Sequence, residues 1–219
     1  GGTVTFHCGG PVVIPVSAAK TLTTTTTVDG TGQQITLDGG GTTRVFQTTY
    51  QFASFTITLR NLTLRNGRAA DFGGAVRLVY QDHPTTLDVE GVRFENNVAA
   101  ASGNDVGGGA IHAVTGFVNV RRSSFVANRG GNGGAIGHIQ ARLTIEDSVF
   151  SGNSTHARVG DGGSGGAIYT DGSGNGAIVV RRASFLDNRS TNLGGALFTY
   201  QYAGASSFTI EDSFFSGNE

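Results

Sequence analysis

Five phenylalanines, Phe94, Phe125, Phe150, Phe185 and Phe215, organise the apolar and polar positions of this chain. Seven residues before them stand Leu87, Val118, Leu143, Ile178 and Phe208, and five before them Val89, Val120, Ile145, Val180 and Ile210. The residues between are mostly polar: Asp88, Asn119, Thr144, Val179 and Thr209. Ile57, Thr58, Leu59 and Leu64 extend the pattern to an earlier copy. An alternation of period two predicts a strand with one buried face. The small residues Ser123, Ser148, Ala183 and Ser213 just before the phenylalanines suit a bend. Runs such as Ala167-Ile168-Tyr169-Thr170 predict a further short strand. No segment carries a sustained 3.6-residue stripe, so no long helix is expected.

Two signatures recur in fixed order. The first is Gly-Gly-Ala followed by an aliphatic residue, at Gly73-Val76, Gly108-Ile111, Gly133-Ile136, Gly165-Ile168 and Gly194-Leu197. The second is Phe-x-x-Asn, which ends at Asn97, Asn128, Asn153, Asn188 and Asn218. Successive phenylalanines lie 31, 25, 35 and 30 positions apart, a period that marks stacked repeats. Each such unit buries its apolar face only against its neighbours. The expectation is an all-β chain: a single right-handed parallel β-helix of about seven to eight coils, one domain over residues 1–219. Residues 57–219 hold the regular repeats. Residues 1–56 read as irregular opening coils, with Val12, Ile14, Val16, Ile35 and Leu37 alternating and Asp29-Gly30 and Asp38-Gly39 as turns. The loops vary most at 99–107, 154–164 and 171–176.

Polar columns follow the same period. Four residues before the apolar anchor stand Arg60, Glu90, Arg121, Glu146, Arg181 and Glu211; the next position carries Arg122, Asp147, Arg182 and Asp212. On adjacent strands about 5 Å apart, this alternation makes a ladder of ion pairs, each worth roughly 0–1 kcal/mol when exposed. The asparagines predict a second ladder, amide to amide along the stack. Asn61-Leu62-Thr63, Asn153-Ser154-Thr155 and Asn188-Arg189-Ser190 match the glycosylation pattern. The last two overlap the ladder, so those matches are accidental.

Composition narrows the function classes. Gly is 36 of 219 residues, about twice the usual share, which fits many tight turns. The net charge of −1 offers no nucleic-acid footprint. No stretch approaches the roughly 20 apolar residues of a membrane helix. Cys8 is the only cysteine, and its alternation with Val4 and Phe6 predicts a small buried hydrophobe. A chain without Met that starts Gly1-Gly2-Thr3 reads as a processed product or a fragment. His7, His83, His112, His138 and His156 lack metal-ligand spacing, and Gly160-Asp161-Gly162-Gly163 does not recur as a calcium repeat would. No catalytic residue, metal or cofactor is assigned.

The paired signatures resemble the repeats of the polymorphic outer-membrane proteins (Pmp) and, more widely, β-helix repeats of large secreted bacterial surface proteins. Gly1-Phe6 and Ile57-Leu64 look like the lead-in of that wider group. The resemblance implies an extracellular or outer-surface bacterial location and a non-catalytic role, as an adhesin passenger or a fibre or filament subunit. The partners it implies are surface glycans or host or neighbouring cell surfaces. The abrupt ends add a further expectation: a longer β-helix, or copies of the chain stacked head to tail. The membrane β-barrel of the Pmp family has no counterpart in residues 1–219. The rival reading is a carbohydrate-active β-helix enzyme, a polysaccharide lyase or hydrolase, with Asp161, Asp171 or Asp187 as its carboxylates. Pectate lyases share the architecture and use clustered Asp residues for calcium with an Arg base.

Overall fold

The alternation around the phenylalanines becomes columns of short strands wound into a parallel β-helix. The computed structural model describes residues 1–79, 82–140, 142–158, 160–172, 177–201 and 207–219. The first sheet has eight strands, from Gly2–Thr5 to Ser207–Glu211, and the second has eight, from Val12–Pro15 to Phe214–Ser216. The third has seven, from Lys20–Leu22 to Leu197–Tyr200. A fourth, Arg68–Ala69, Val98–Ala99, Arg129–Gly130 and Ser154–Thr155, has no counterpart in the sequence pattern. Strands of two residues are too short to show a period. No helix among the described residues is long and apolar enough to cross a membrane.

The sequence columns are the sheet registers. Leu87, Val118, Leu143, Ile178 and Phe208 pair in line, as do Val89, Val120, Ile145, Val180 and Ile210. Residues 1–56 pair in the same sheets: Ile14 meets Leu37, Leu37 meets Leu64, and Leu64 meets Phe94. Phe94, Phe125, Phe150 and Phe185 are fully buried, with successive rings 4.6–4.9 Å apart and nearly parallel. Cys8 departs from expectation. It is exposed, because the first strand ends at Thr5 and the alternation stops before residue 8.

Turns close each coil. The residue after the charge-ladder position is left-handed in every copy, with φ of 51° at Asn61, 45° at Arg122, 50° at Asp147 and 48° at Arg182. The serines behind this turn are a hydrogen-bonded column: Ser123 Oγ accepts from Val92 N–H at 3.1 Å, and Ser148 Oγ from Ser123 N–H at 3.1 Å. The Gly-Gly pairs divide two tasks. Gly133 takes φ 60°, whereas a Cβ on Gly134 would lie 2.2 Å from the carbonyl oxygen of Gly166 in the next coil. Only glycine meets both demands.

The asparagine column is fully buried at Asn97, Asn128, Asn153 and Asn188. Asn128 Nδ2 donates to Asn153 Oδ1 at 3.0 Å and to the Phe94 carbonyl at 3.1 Å. Its Oδ1 accepts from Asn97 Nδ2 at 2.9 Å and from Asn97 N–H at 3.0 Å. Burial keeps Asn153 and Asn188 from serving as glycan acceptors in the folded chain. By contrast, the charge ladder is exposed. Arg60–Glu90 is 3.7 Å, Arg121–Glu146 3.1 Å and Arg181–Glu211 2.6 Å, while Glu90 also meets Arg122 of the next column. Removing a buried partner strands donors and acceptors at ~1–3 kcal/mol each, while exposed pairs contribute less than about 1 kcal/mol. In urea titrations, Asn128→Ala is therefore expected to cost ~2–4 kcal/mol and Arg121→Ala under ~1 kcal/mol; equal losses would contradict this ranking.

One buried inward position of the third sheet is ionisable. His138 lies between Ala113 and Thr170, is 1% exposed, and its Nε2 has no hydrogen-bond partner. Burial pushes its pKa down from 6.5 to about 4. The native imidazole stays neutral where the unfolded one takes a proton. Its stabilising neutrality is thus whole above pH 6.5 and is lost as pH falls towards 4. His138→Leu should gain on the parent by up to roughly 3 kcal/mol across that window, measured as the difference in unfolding free energy. A pH-independent difference would contradict it.

Candidate functional site

The distance from the Asn column to the next Gly-Gly pair alternates along the chain. It is 11 positions after Asn97, 5 after Asn128, 12 after Asn153 and 6 after Asn188. Two long segments, 99–107 and 156–164, therefore leave coils that are separated by one with a short turn. Asn132, in that short turn, ties them together. Its backbone N–H donates to the Val106 carbonyl at 2.8 Å, and its Nδ2 to the Gly103 carbonyl at 2.9 Å. Its Oδ1 accepts from Ser164 N–H at 2.9 Å. Between the two segments, over the outer face of the third sheet, lies an open cavity of about 390 Å³. Asp105, Asn132, Tyr169, Asp171, Asn192 and Phe198 line it, with Tyr200 at its margin.

The third-sheet register puts Arg77, His112, Gly137, Tyr169 and Phe198 in one outward row. Tyr169 and Phe198 stack with ring centroids 5.5 Å apart. Tyr169 is 7% exposed, and its hydroxyl lies 3.2 Å from Asp171 Oδ2 and 3.3 Å from Asp105 Oδ1. Asp171 Oδ1 is buried without a hydrogen-bond donor, and the Asp105 carboxyl stands beside it. Two carboxyls so close favour a proton or a cation between them. Burial, then the bond to and the charge of Asp105, push the Asp171 pKa up to about 6. Burial and the same two carboxylates push the Tyr169 hydroxyl far above its ordinary value.

The other end of this face is sealed. Phe72 stacks on His112 at 4.6 Å, and the Arg77 guanidinium lies 5.1 Å over Phe72. The buried Arg44 pairs with Asp71 and donates to the Gly73 carbonyl at 2.8 Å, while Arg77 reaches Asp71 at 2.6 Å. One carboxylate there has two arginines. The cavity has two carboxylates, and among the described residues no Lys or Arg lines it. A larger concavity, about 530 Å³, is formed by Leu197, Phe208, Ile210 and Phe215 and has no titratable lining residue among the described residues.

Two segments, residues 91–114 and 147–171, match the model of the Chlamydia polymorphic membrane protein (Chlamydia_PMP) repeat. Both segments are similar to the Pmp repeat. Each match runs from the left-handed turn, through Phe-x-x-Asn and a long loop, to the Gly-Gly-Ala strand. The two Pmp-like segments are the ones that carry the long loops, and between them they supply Asp105, Tyr169 and Asp171. The match supports a bacterial surface location in general terms. No curated protein and no solved structure matches the chain.

Of the three carboxylates considered from sequence, Asp171 lies in the cavity. Asp161 sits exposed on the 156–164 loop, between two glycines that line it. Asp187 occupies a left-handed turn after Ser184–Leu186, φ 53°, and is not a lining residue. Residues 173–176 of the third variable loop lie outside the described residues. Asp105 and Tyr169 are not legible as a pair from sequence, since 64 positions separate them. Their signal was the long 99–107 loop and the aromatic that follows the aliphatic of Gly-Gly-Ala-Ile. The five histidines are dispersed: His7 and His83 are exposed, His112 and His138 are buried, and His156 Nε2 meets the Ala99 carbonyl at 2.8 Å. Among the described residues, no three His, Cys, Asp or Glu side chains are grouped to hold a metal.

Asp105→Asn should lower the Asp171 midpoint from about 6, part-way towards its ordinary 3.8. Burial would keep the rest of the shift. Carboxyl ¹³C shifts followed through a pH titration check this; an unmoved midpoint would contradict the pairing.

Proposed function

We propose that this chain is a non-catalytic segment of a bacterial surface protein, working as an adhesin passenger. The loop-covered third sheet is its contact face, and surface glycans or host or neighbouring cell surfaces are its partners. The observation that carries the reading is where irregularity falls. The first- and second-sheet columns repeat the same turns, ion pairs and hydrogen bonds from coil to coil. Departures gather at the third-sheet face, where two long Pmp-like segments build a concave, aromatic-lined recess. Variable loops on a rigid scaffold are the usual place for recognition.

The Asp105–Asp171 pair is the one observation that favours the enzyme reading. Its geometry argues against it. Glycoside hydrolysis places its carboxyls about 5–5.5 Å or 6.5–9.5 Å apart, with the glycosidic oxygen or a water between them. Here both carboxyls gather on one tyrosine hydroxyl, at 3.2 Å and 3.3 Å, and stand close enough for Asp105 to raise the Asp171 pKa. A lyase of the pectate type would want an arginine base, and among the described residues no arginine lines the cavity.

The test uses surfaces coated with the chain, assayed for saturable cell attachment and for competition by soluble saccharides. Uronate polymers are screened in parallel for turnover, with and without calcium. The reading expects attachment without turnover. Turnover abolished by Asp171→Asn would replace it with the enzyme.

A further inference from the structure

We infer that the cavity over the third sheet is a binding site for a primary organic ammonium ion, whose N–H groups bridge Asp105 and Asp171. The inference rests on reading this face as a recognition surface, and it names the chemistry recognised there. Three observations carry it.

The first is an unmet hydrogen-bond demand. Asp171 Oδ1 is buried without a donor, and its neighbour is another carboxyl. Tyr169 has one hydroxyl proton for two acceptors, at 3.2 Å and 3.3 Å. Either a proton or a ligand donor must enter. An ammonium brings three donors and a positive charge, so it can serve both carboxylates at once.

The second is the contrast along the face. Asp71 is neutralised by Arg44 and Arg77. The Asp105–Asp171 end has no basic lining residue among the described residues. A cation from outside would complete it as the arginines complete the other end.

The third is the rest of the wall. Tyr169 and Phe198 give stacked aromatic surface beside the carboxylates, suited to the C–H face of the amine's carbon frame and to cation–π attraction. Asn104, Asn132 and Asn192 add amide groups at the rim and floor. A volume of about 390 Å³ admits a single sugar ring or a short alkyl chain. The ammonium could come from an amino sugar or from a lysine-type side chain.

Protons compete for the same place. The titratable and charged groups facing it, among the described residues, are Asp105 from the 99–107 loop, Tyr169 and Asp171 from Ile168–Asp171 and Tyr200 from Leu197–Tyr200. Arg158 and Asp161 stand exposed on the 156–164 loop. His112 lies beside the Asp105 backbone, and burial holds its pKa down at about 4, so it stays neutral above that. The segment 190–193 brings none. With the Asp171 midpoint at about 6, one-proton competition weakens ammonium binding about tenfold between pH 7 and pH 5.

The experiment is titration of the whole chain by calorimetry and by NMR shifts of the Tyr169 and Asp171 amides. The probes are n-butylammonium, glucosamine, N-acetylglucosamine and calcium. The expected result is binding of both amines, about tenfold weaker at pH 5 for n-butylammonium, and no binding of N-acetylglucosamine, which keeps the ring and loses the charge. Asp171→Asn and Asp105→Asn should each weaken amine binding at least about tenfold while circular dichroism and melting stay native. Tighter glucosamine than n-butylammonium identifies a sugar source, and the reverse a lysine-type source; either order supports the site. Absence of amine binding, equal binding of N-acetylglucosamine, or binding of calcium alone would overturn the inference. Cell attachment is a separate readout. Attachment without amine binding would sink this inference and leave the adhesin reading standing.

Discussion

The buried asparagine ladder is the interaction on which the rest of this structure depends. From Asn128 to Asn188 each carboxamide spends both donors and both acceptor positions inside the stack: it donates to the next carboxamide and to the phenylalanine carbonyl one coil back, and its oxygen accepts from the preceding asparagine's Nδ2 and backbone N–H. A buried amide tolerates no slip, because a shift of one residue would strand several groups at once. Apolar stacking alone does not set register so strictly. Leu64 replaces Phe94's ring in the earlier coil without breaking the column, and Gly67 N–H, at the ladder's corresponding place, simply donates to Asn97 Oδ1 at 2.8 Å. The ladder therefore fixes coil on coil, and the phenylalanine rings fill the space it defines.

That constraint decides where the chain is free to vary. From the first sheet to the Asn corner, each coil from Phe125 onward has one residue per place: an outward charge, a left-handed turn, a small residue, a phenylalanine and the asparagine. An insertion there would break the amide or ring stack. Past the Asn corner the chain needs only to return to the Gly-Gly pair, whose second glycine is pressed against the next coil's carbonyl. Loops of different length are accommodated between these two fixed points. Because the long ones, 99–107 and 156–164, flank a coil with a short turn, the fold leaves a recess between them, with Asn132 as its floor. The recess is thus a consequence of alternate loop lengths on a strict scaffold.

Much of the scaffold was legible because its cause is local and periodic. Period-two alternation, the Gly-Gly pair and the recurring Phe and Asn each state a demand that repeats, so their columns could be aligned by counting. Residues 1–56 pair in the same way, although Thr and Val stand there where later coils carry the full signature. The fourth sheet was hidden by its length. Arg122 and Arg182 read as charges, and nothing in their identity announces a left-handed backbone. Asp171 could be singled out as a carboxylate, but its partner could not. Asp105 reaches it only because two coils of different length stack, and that proximity is a property of the wound chain.

The central claim is that side-chain amides, buried and bonded along the stack, hold the coils in register. The most direct measurement is hydrogen exchange of the Asn97, Asn128, Asn153 and Asn188 carboxamide protons by NMR, resolved from the exposed Asn104 and Asn192. The account predicts protection comparable to the backbone amides of Val120 and Ile145, lost only when the stack opens. Exchange at the rate of exposed carboxamides, while those backbone amides remain protected, would contradict it.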